Sequence, residues 1–148
     1  MSDRDDNEIL TLVTREIEAL HDFISAWFRG ELQNSEQVFN EGFRDRLHNQ
    51  IVNIQPGGQT LTSADLLQPI KAAHGVNPDF QISISDVAVR FVDRDRSLIL
   101  ATYVEHQSGA RNTTPSRNDR VSTVLFQWPD GAPRPLWMHI HETARPLN

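Results

Sequence analysis

The amino-acid order predicts an α+β domain, with helices first and an antiparallel sheet second. Three observations carry this expectation. Ile9, Leu12, Val13, Ile17, Leu20, Ile24, Trp27 and Phe28 recur at the three-and-four spacing that lines one face of a helix. After Pro78, the segments Phe80 to Val92, Leu98 to Gln107, Asn118 to Trp128 and Pro135 to Ala144 are rich in β-branched and aromatic residues, with turn-forming clusters between them. No repeat or low-complexity tract interrupts this order, which suits helices packed on one face of a meander.

Each element has its own local signal. Asp5, Asp6 and Glu8 put negative charge at the amino end of the first helix, where its dipole favours it, and Gly30 stands where a left-handed cap belongs, so the helix is expected over about 7–29. Asn34 with Gln37 reads as a capping pair for a short second helix carrying Val38 and Phe39 and ending near Gly42, after which Phe43 and Leu47 continue the core. Ile51 to Ile54 alternates as a short strand, Pro56-Gly57-Gly58 makes a tight reversal, and Gln59 to Leu61 returns beside it. Thr62 and Asp65 form a capping box for a third helix that stops at Gly75; Pro69 means either a kink there or a true start near that residue. The apolar phase of the first long strand changes between Ile84 and Val87, as a β-bulge in a bent strand would require. The polar loop from Ser108 to Arg117 is expected to be mobile.

A chain of 148 residues suits one domain, taken as 1–148 with residues 1–7 flexible. The net charge of −6, with the 14 basic residues scattered, offers no footprint for nucleic acid. The acidic start is unlike a secretory signal and no stretch reaches the length of a membrane span, so a cytoplasmic protein with no membrane partner is expected. Cysteine is absent, which excludes disulfides, thiolate nucleophiles and cysteine-ligated zinc. There is no phosphate-cradling glycine loop, dinucleotide fingerprint or Gly-x-Ser-x-Gly elbow, and no cofactor is expected.

The order of elements, closing on Leu136-Trp137-Met138-His139-Ile140-His141-Glu142-Thr143, resembles the nuclear transport factor two-like superfamily over nearly the whole chain. Within it, the chain looks most like SnoaL-like and ketosteroid-isomerase-like domains and the association domain of calcium/calmodulin-dependent kinases, whose last strand similarly carries a tryptophan followed by histidines. The resemblance implies a cystatin-like roll: a cone-shaped, strongly curved antiparallel sheet wrapped around the long N-terminal helix and two shorter helices, with a cavity open at one end. It also implies that Trp137, His139, His141 and Thr143 look into that cavity.

His139 and His141 share a strand face by alternation, whatever the fold. With His106 or Glu105 as a third ligand such a pair could bind a metal, but no spaced ligand motif supports this, and none is expected. His106, His139 and His141 are candidate general acids or bases, since imidazole titrates near neutrality; the plainer alternative is a set of structural histidines. Arg120, in phase with Val124 and Phe126, is a candidate clamp for a carboxylate or oxyanion. Trp27, Phe28, Phe43 and Trp137 are candidate apolar walls of the pocket, against the alternative of simple core. Ketosteroid isomerases use an aspartate base and a tyrosine, and the only tyrosine here, Tyr103, is opposite in phase to His106, so steroid isomerisation is not expected.

Together these features predict a pocket for a small apolar or carboxylate-bearing molecule, in a lyase or isomerase acting on an apolar carbonyl compound. The alternative is a noncatalytic binding or dimerisation module with a vestigial cavity. Leu136, Met138 and Ile140 are apolar opposite Trp137, and Val121 and Leu125 opposite Val124 and Phe126, so both sheet faces want burial. Helices cover one face; the other is expected to meet a second copy in a homodimer, as the resemblance also implies.

Overall fold

A computed structural model describes residue 1 and residues 3–147. Its order is α1 (Asp6–Arg29), α2 (Glu36–Gly42), a 3-10 turn over Arg44–Arg46, β1 (Leu47–Ile54), β2 (Thr60–Thr62), α3 (Ser63–Ala72), β3 (Gln81–Asp93), β4 (Leu98–Ser108), β5 (Asn118–Gln127) and β6 (Leu136–Arg145). The six strands form one open sheet in the order β2-β1-β6-β5-β4-β3, curved into a cone around α1.

α1 is closed at both ends by the groups its sequence provides. Asp5 Oδ1 accepts from the Glu8 N–H at 2.8 Å, and Gly30, at φ +78°, lets the Gly30 and Glu31 N–H groups return to the carbonyls of Trp27 and Ala26. Its apolar stripe is the centre of the core: Ile9, Val13, Ile17 and Trp27 are fully buried. Each such side chain stabilises the fold by roughly 1.5–3 kcal/mol. Ser25 Oγ accepts from the Ile82 N–H at 3.0 Å, fastening α1 to β3, and Trp27 Nε1 donates to the Ile70 carbonyl at 2.9 Å, fastening it to α3.

Several local expectations shift. The residues expected to be flexible before α1 include its cap and first turn, and the Arg4 guanidinium lies 4.3 Å from the centre of the Trp128 ring; Ser2 lies outside the described residues. α2 is capped by Ser35, whose Oγ accepts from the Val38 N–H, one residue after the expected Asn34. α3 begins at Ser63 with the Thr62–Asp65 capping box in place, runs through Pro69, and ends at Ala72, short of Gly75. The polar loop expected to be mobile is pinned at three points. Asn77 Nδ2 donates to the Gly109 carbonyl, the Ala110 N–H donates to the Ser116 carbonyl, and Arg111 Nη1 donates to the Val76 carbonyl.

The sheet also departs from a pure meander. β3 to β6 are antiparallel in sequence order, but β1 lies parallel to β6, with Asn53 beside Ile140, and β2 pairs antiparallel with β1. Two bulges bend it. On β3 the register shifts between Ser85 and Ala88, around Asp86 at φ +56°, where the sequence places a change of phase. On β6, Phe126 pairs with Trp137 but Leu125 pairs with His139, so β6 carries one extra residue at this point.

Packing is tightest where α2 meets α1. Phe23, Trp27, Phe39 and Phe43 form one aromatic cluster, with ring centroids of Trp27 and Phe39 5.3 Å apart and of Phe39 and Phe43 5.6 Å apart. Gly42 leaves room for this cluster, since a Cβ there would stand 2.2 Å from a carbon of the Phe23 ring. Gly42→Ala is therefore expected to destabilise the protein by about 1–3 kcal/mol, the range for overpacking. Urea denaturation measures it, and shortening the opposing side chain in Gly42→Ala/Phe23→Leu should recover part of the loss.

Candidate functional site

Alternation sets which side chains enter the cone. β4 directs Ile99, Ala101, Tyr103, Glu105 and Gln107 inward, β5 directs Arg120, Ser122, Val124 and Phe126 inward, and past its bulge β6 directs Ile140 and Glu142 inward. Between them and α1 is a cavity of about 470 Å³ that opens at one end of the cone. Leu20, Ile24, Phe28, Phe43, Leu66 and Ile70 make apolar walls, Arg111 and Asn112 of the pinned loop stand among its lining, and a polar cluster is gathered on one side.

At the centre of that cluster His21 of α1 meets Glu105 of β4, Nε2 to Oε1 at 3.0 Å, with both side chains about 5% exposed. His21 Nδ1 is 2.7 Å from the Ile17 carbonyl oxygen. A carbonyl only accepts, so Nδ1 donates; an ionised carboxylate also only accepts, so Nε2 donates too, and the ring is an imidazolium. The electrostatics agree. Burial alone would lower His21, but the charge and hydrogen bond of Glu105 reverse this and leave it above its ordinary value. Burial alone would raise Glu105, but His21, with Gln107 donating to its other oxygen, takes it well below the ordinary carboxylate value.

Glu142 is in the opposite condition. Its contacts are long: Asn53 Nδ2 donates to one oxygen at 3.2 Å and Arg120 Nη1 to the other at 3.3 Å. Burial, then the negative charge of Glu105, raise its pKa, and Arg120 and Asn53 only partly offset them. Arg120 is spread over three acceptors, with Asn118 Oδ1 at 3.2 Å and Gln107 Oε1 at 3.5 Å besides Glu142. Burial and the charges of Glu105 and Glu142 push the Tyr103 phenol well above its ordinary value, so it keeps its proton. Ser122 sits across from both Tyr103 and Glu142, and its hydroxyl, close to the phenol, partly offsets the rise on Tyr103. One cavity thus holds an ion pair, a carboxyl raised above its ordinary value, a guanidinium and a phenol.

No family model matches the sequence, and a search of curated proteins finds no match. Solved structures do match. An NTF2-like protein of unknown function from Pseudomonas aeruginosa superposes with a TM-score of 0.78 at 24% identity, covering 91% of this chain and 99% of that one. The chain has the NTF2-like fold. A candidate dehydratase of the NTF2-like family from Streptomyces avermitilis matches at a TM-score of 0.69 and 14% identity, covering 97% of this chain and all of that one. A hexachlorocyclohexane dehydrochlorinase from Novosphingobium barchaimii matches at 0.62 and 12%, covering 94% and 91%.

In this NTF2-like cone the candidate residues divide. Arg120, Phe28 and Phe43 line the cavity. Trp27 and Trp137 are buried behind its walls, held by Trp27 Nε1 on the Ile70 carbonyl and Trp137 Nε1 on Glu16 Oε1 at 3.1 Å, and so form core rather than wall. His139 and His141 lie on the outer sheet face with Thr143, opposite to expectation: the extra residue of β6 after Trp137 reverses the phase of everything that follows. His106 also faces outward, paired with Asp119, while Glu105 and Tyr103 of the same strand face in. Among the described residues no three His, Cys, Asp or Glu side chains converge in a way that could hold a metal ion.

His21 was not among the sequence candidates, although it had a signal. It follows Ile17 by four and precedes Ile24 by three, placing a histidine in the middle of the most apolar helix face of the chain. Glu142 had none, because its direction depends on the bulge.

Two predictions follow from the charges. His21 has a raised pKa, so its stabilising effect is full below its ordinary 6.5 and fades as pH rises through its folded value; Glu105 is depressed, so its effect is full above its ordinary 4.5 and fades only as pH falls through a much lower value. His21→Leu strands a buried carboxylate and is expected to cost about 3–5 kcal/mol near pH 6, most of it recovered in His21→Leu/Glu105→Leu, as denaturant titration will show. Glu142 is raised, so its ionisation opposes folding as pH climbs above its ordinary 4.5. Glu142→Gln should therefore gain stability relative to wild type as pH rises from 4 to 8, a trend that melting curves across that range resolve.

Proposed function

We propose that this protein takes a small molecule with an apolar body and one carbonyl or carboxylate group into the cone and moves a proton on it, as a lyase or isomerase would. The observation that carries this reading is the pair Glu105 and Glu142, two carboxyl groups in one cavity, of which His21 at 3.0 Å and Gln107 hold Glu105 low while burial and the charge of Glu105 raise Glu142. Such divergence assigns roles. Glu105 is committed on both oxygens and is a weak base; it holds His21 charged. Glu142, loosely held and raised above the ordinary carboxylate value, is the group placed to give and take a proton beside Arg120.

The charge balance supports an oxygen-bearing ligand. With Glu142 neutral, the cations His21 and Arg120 face the single anion Glu105, leaving one positive charge for a carboxylate or a developing enolate. Tyr103 retains its proton as a hydrogen-bond donor. The apolar walls suit a hydrocarbon or ring body, and the volume suits a compact one. The candidate dehydratase and the dehydrochlorinase among the structural neighbours are named for eliminations, in which a proton is lost along with the leaving group.

The outer sheet face bears on the oligomer. Phe91 is 62% exposed, in a row with Leu100 and Leu125, and this apolar end is where a second copy would pack. Native mass spectrometry reads this directly: a dimer agrees with that packing, and a monomer rules it out.

Binding and proton transfer are tested separately. Anilinonaphthalene sulfonate joins an aromatic body to one anionic group; titrated against wild type it should bind with enhanced fluorescence. Arg120→Met should weaken it at least about tenfold, equivalent to 1.4 kcal/mol, while Glu142→Gln leaves it nearly unchanged. Tetralone in deuterium oxide tests the chemistry, since wild type should speed exchange of its α-protons, followed by proton NMR. Glu142→Gln should lose at least about 100-fold of that rate. Probe binding without any exchange would leave the noncatalytic binding module as the correct reading.

A further inference from the structure

The outer face of the sheet carries a second group of reactive side chains. His106 of β4 stands directly across from Asp119 of β5, with Nδ1 2.8 Å from Asp119 Oδ1, and its Nε2 is 2.7 Å from Ser85 Oγ on β3. The carboxylate of Asp119 only accepts, so Nδ1 carries hydrogen, and Nε2, when it carries none, turns its lone pair to the serine hydroxyl. Ser85 Oγ also lies 2.9 Å from Asp86 Oδ2. The hydroxyl has one proton, and both of these neighbours are acceptors for it.

The surroundings leave this group open to small molecules. The His106 side chain is 32% exposed, while Asp119 beneath it is 11% exposed and lies 3.9 Å from Arg145 Nη2. A polar recess of about 320 Å³ opens beside His106, walled by Gln81, Ser83, Ser108 and Arg117. Arg117 adds a positive charge to the far wall of this recess. Asp86, next to Ser85, holds a left-handed φ of +56° that aspartate tolerates, and the bulge there turns the strand at this point. Successive outward rows step from Phe91, Leu100 and Leu125 to Ser83, His106 and Asp119, six residues along β4, or about 20 Å.

We propose that Ser85, His106 and Asp119 form a second site, with nucleophile, general base and base-orienting residue, that accepts acyl or phosphonyl groups from small activated esters. In the forward step Ser85 Oγ bonds to the acyl carbon while its proton passes to His106 Nε2. The carbon–oxygen bond to the leaving group breaks, and the departing alkoxide takes that proton. Water repeats the sequence on the acyl-serine and restores the hydroxyl. Nucleophile within hydrogen-bond reach of a base, and base within reach of an orienting carboxylate, is the geometry this chemistry requires.

None of the three residues lines the cavity, so the result is independent of the proton-transfer reading. The test is incubation of the native protein with a small alkyl fluorophosphonate, followed by intact-mass spectrometry. One phosphonyl group should add per chain with loss of hydrogen fluoride, and tryptic mapping should place it in the peptide spanning 72–90, with fragment ions at Ser85 rather than Ser83. Ser85→Ala should take up no label, and His106→Gln should label at least about 100-fold more slowly, each with an unchanged melting temperature. An unlabelled wild-type protein, an adduct that persists in Ser85→Ala, or an unchanged rate in His106→Gln would overturn the proposal.

Discussion

A sheet can surround a single long helix only if its strands bend, and each bulge that bends a strand also changes which side chains face the helix. This coupling governs the rest of the molecule. The bulge around Asp86 turns β3 against α1, and the extra residue of β6 lets that strand follow the cone while turning Glu142 inward and His139 and His141 outward. Without the second bulge the cavity would receive two imidazoles and lose its acid. The backbone geometry that closes the cone therefore determines the chemistry inside it.

Once those side chains are inside, scarcity of water decides their charges. His21 and Glu105 neutralise each other at 3.0 Å, and each is held in its charged form by the other. That arrangement exhausts the strongest local counter-charge. Glu142, with one amide and a shared Arg120 at 3.2 and 3.3 Å, is left above the ordinary carboxylate value. A buried pair of this kind adds little net stability against an apolar equivalent, so its retention in the middle of α1 is better explained by what it does to its neighbour. It sets the field in which Glu142 titrates and in which Tyr103 stays protonated.

Much of the architecture was legible in the sequence because it follows from local chemistry. The α1 stripe, the Asp5 and Gly30 ends, the Thr62–Asp65 box and four long strands all depend on residues close together in the chain. The parallel pairing of β1 with β6 was not legible, since it joins segments more than eighty residues apart. The cavity was legible in part. Arg120, Phe28 and Phe43 line it as their periodicity indicates, whereas the inward set of β6 was misassigned by one bulge and the sequence left open whether His106 or Glu105 of β4 faces inward. His21 shows the more useful signal: a titratable residue in the centre of an apolar helix face needs a buried partner, and the partner identifies the strand face that looks into the core.

The outer face obeys the same geometry with the opposite outcome. Its pleat displays Phe91, Leu100 and Leu125 at one end and Ser83, His106 and Asp119 at the other, so a single curved sheet offers an apolar surface and a polar cluster about 20 Å apart. β4 and β5 reach both ends by stepping two residues at a time, and β3 does so across two register shifts that restore its phase. Curvature alone separates them. The concave side concentrates its ionisable groups in one dry cavity, where each alters the charge of the next. On the convex side the strands diverge, and His106, Asp119 and Ser85 interact through hydrogen bonds at contact distance while remaining open to solvent.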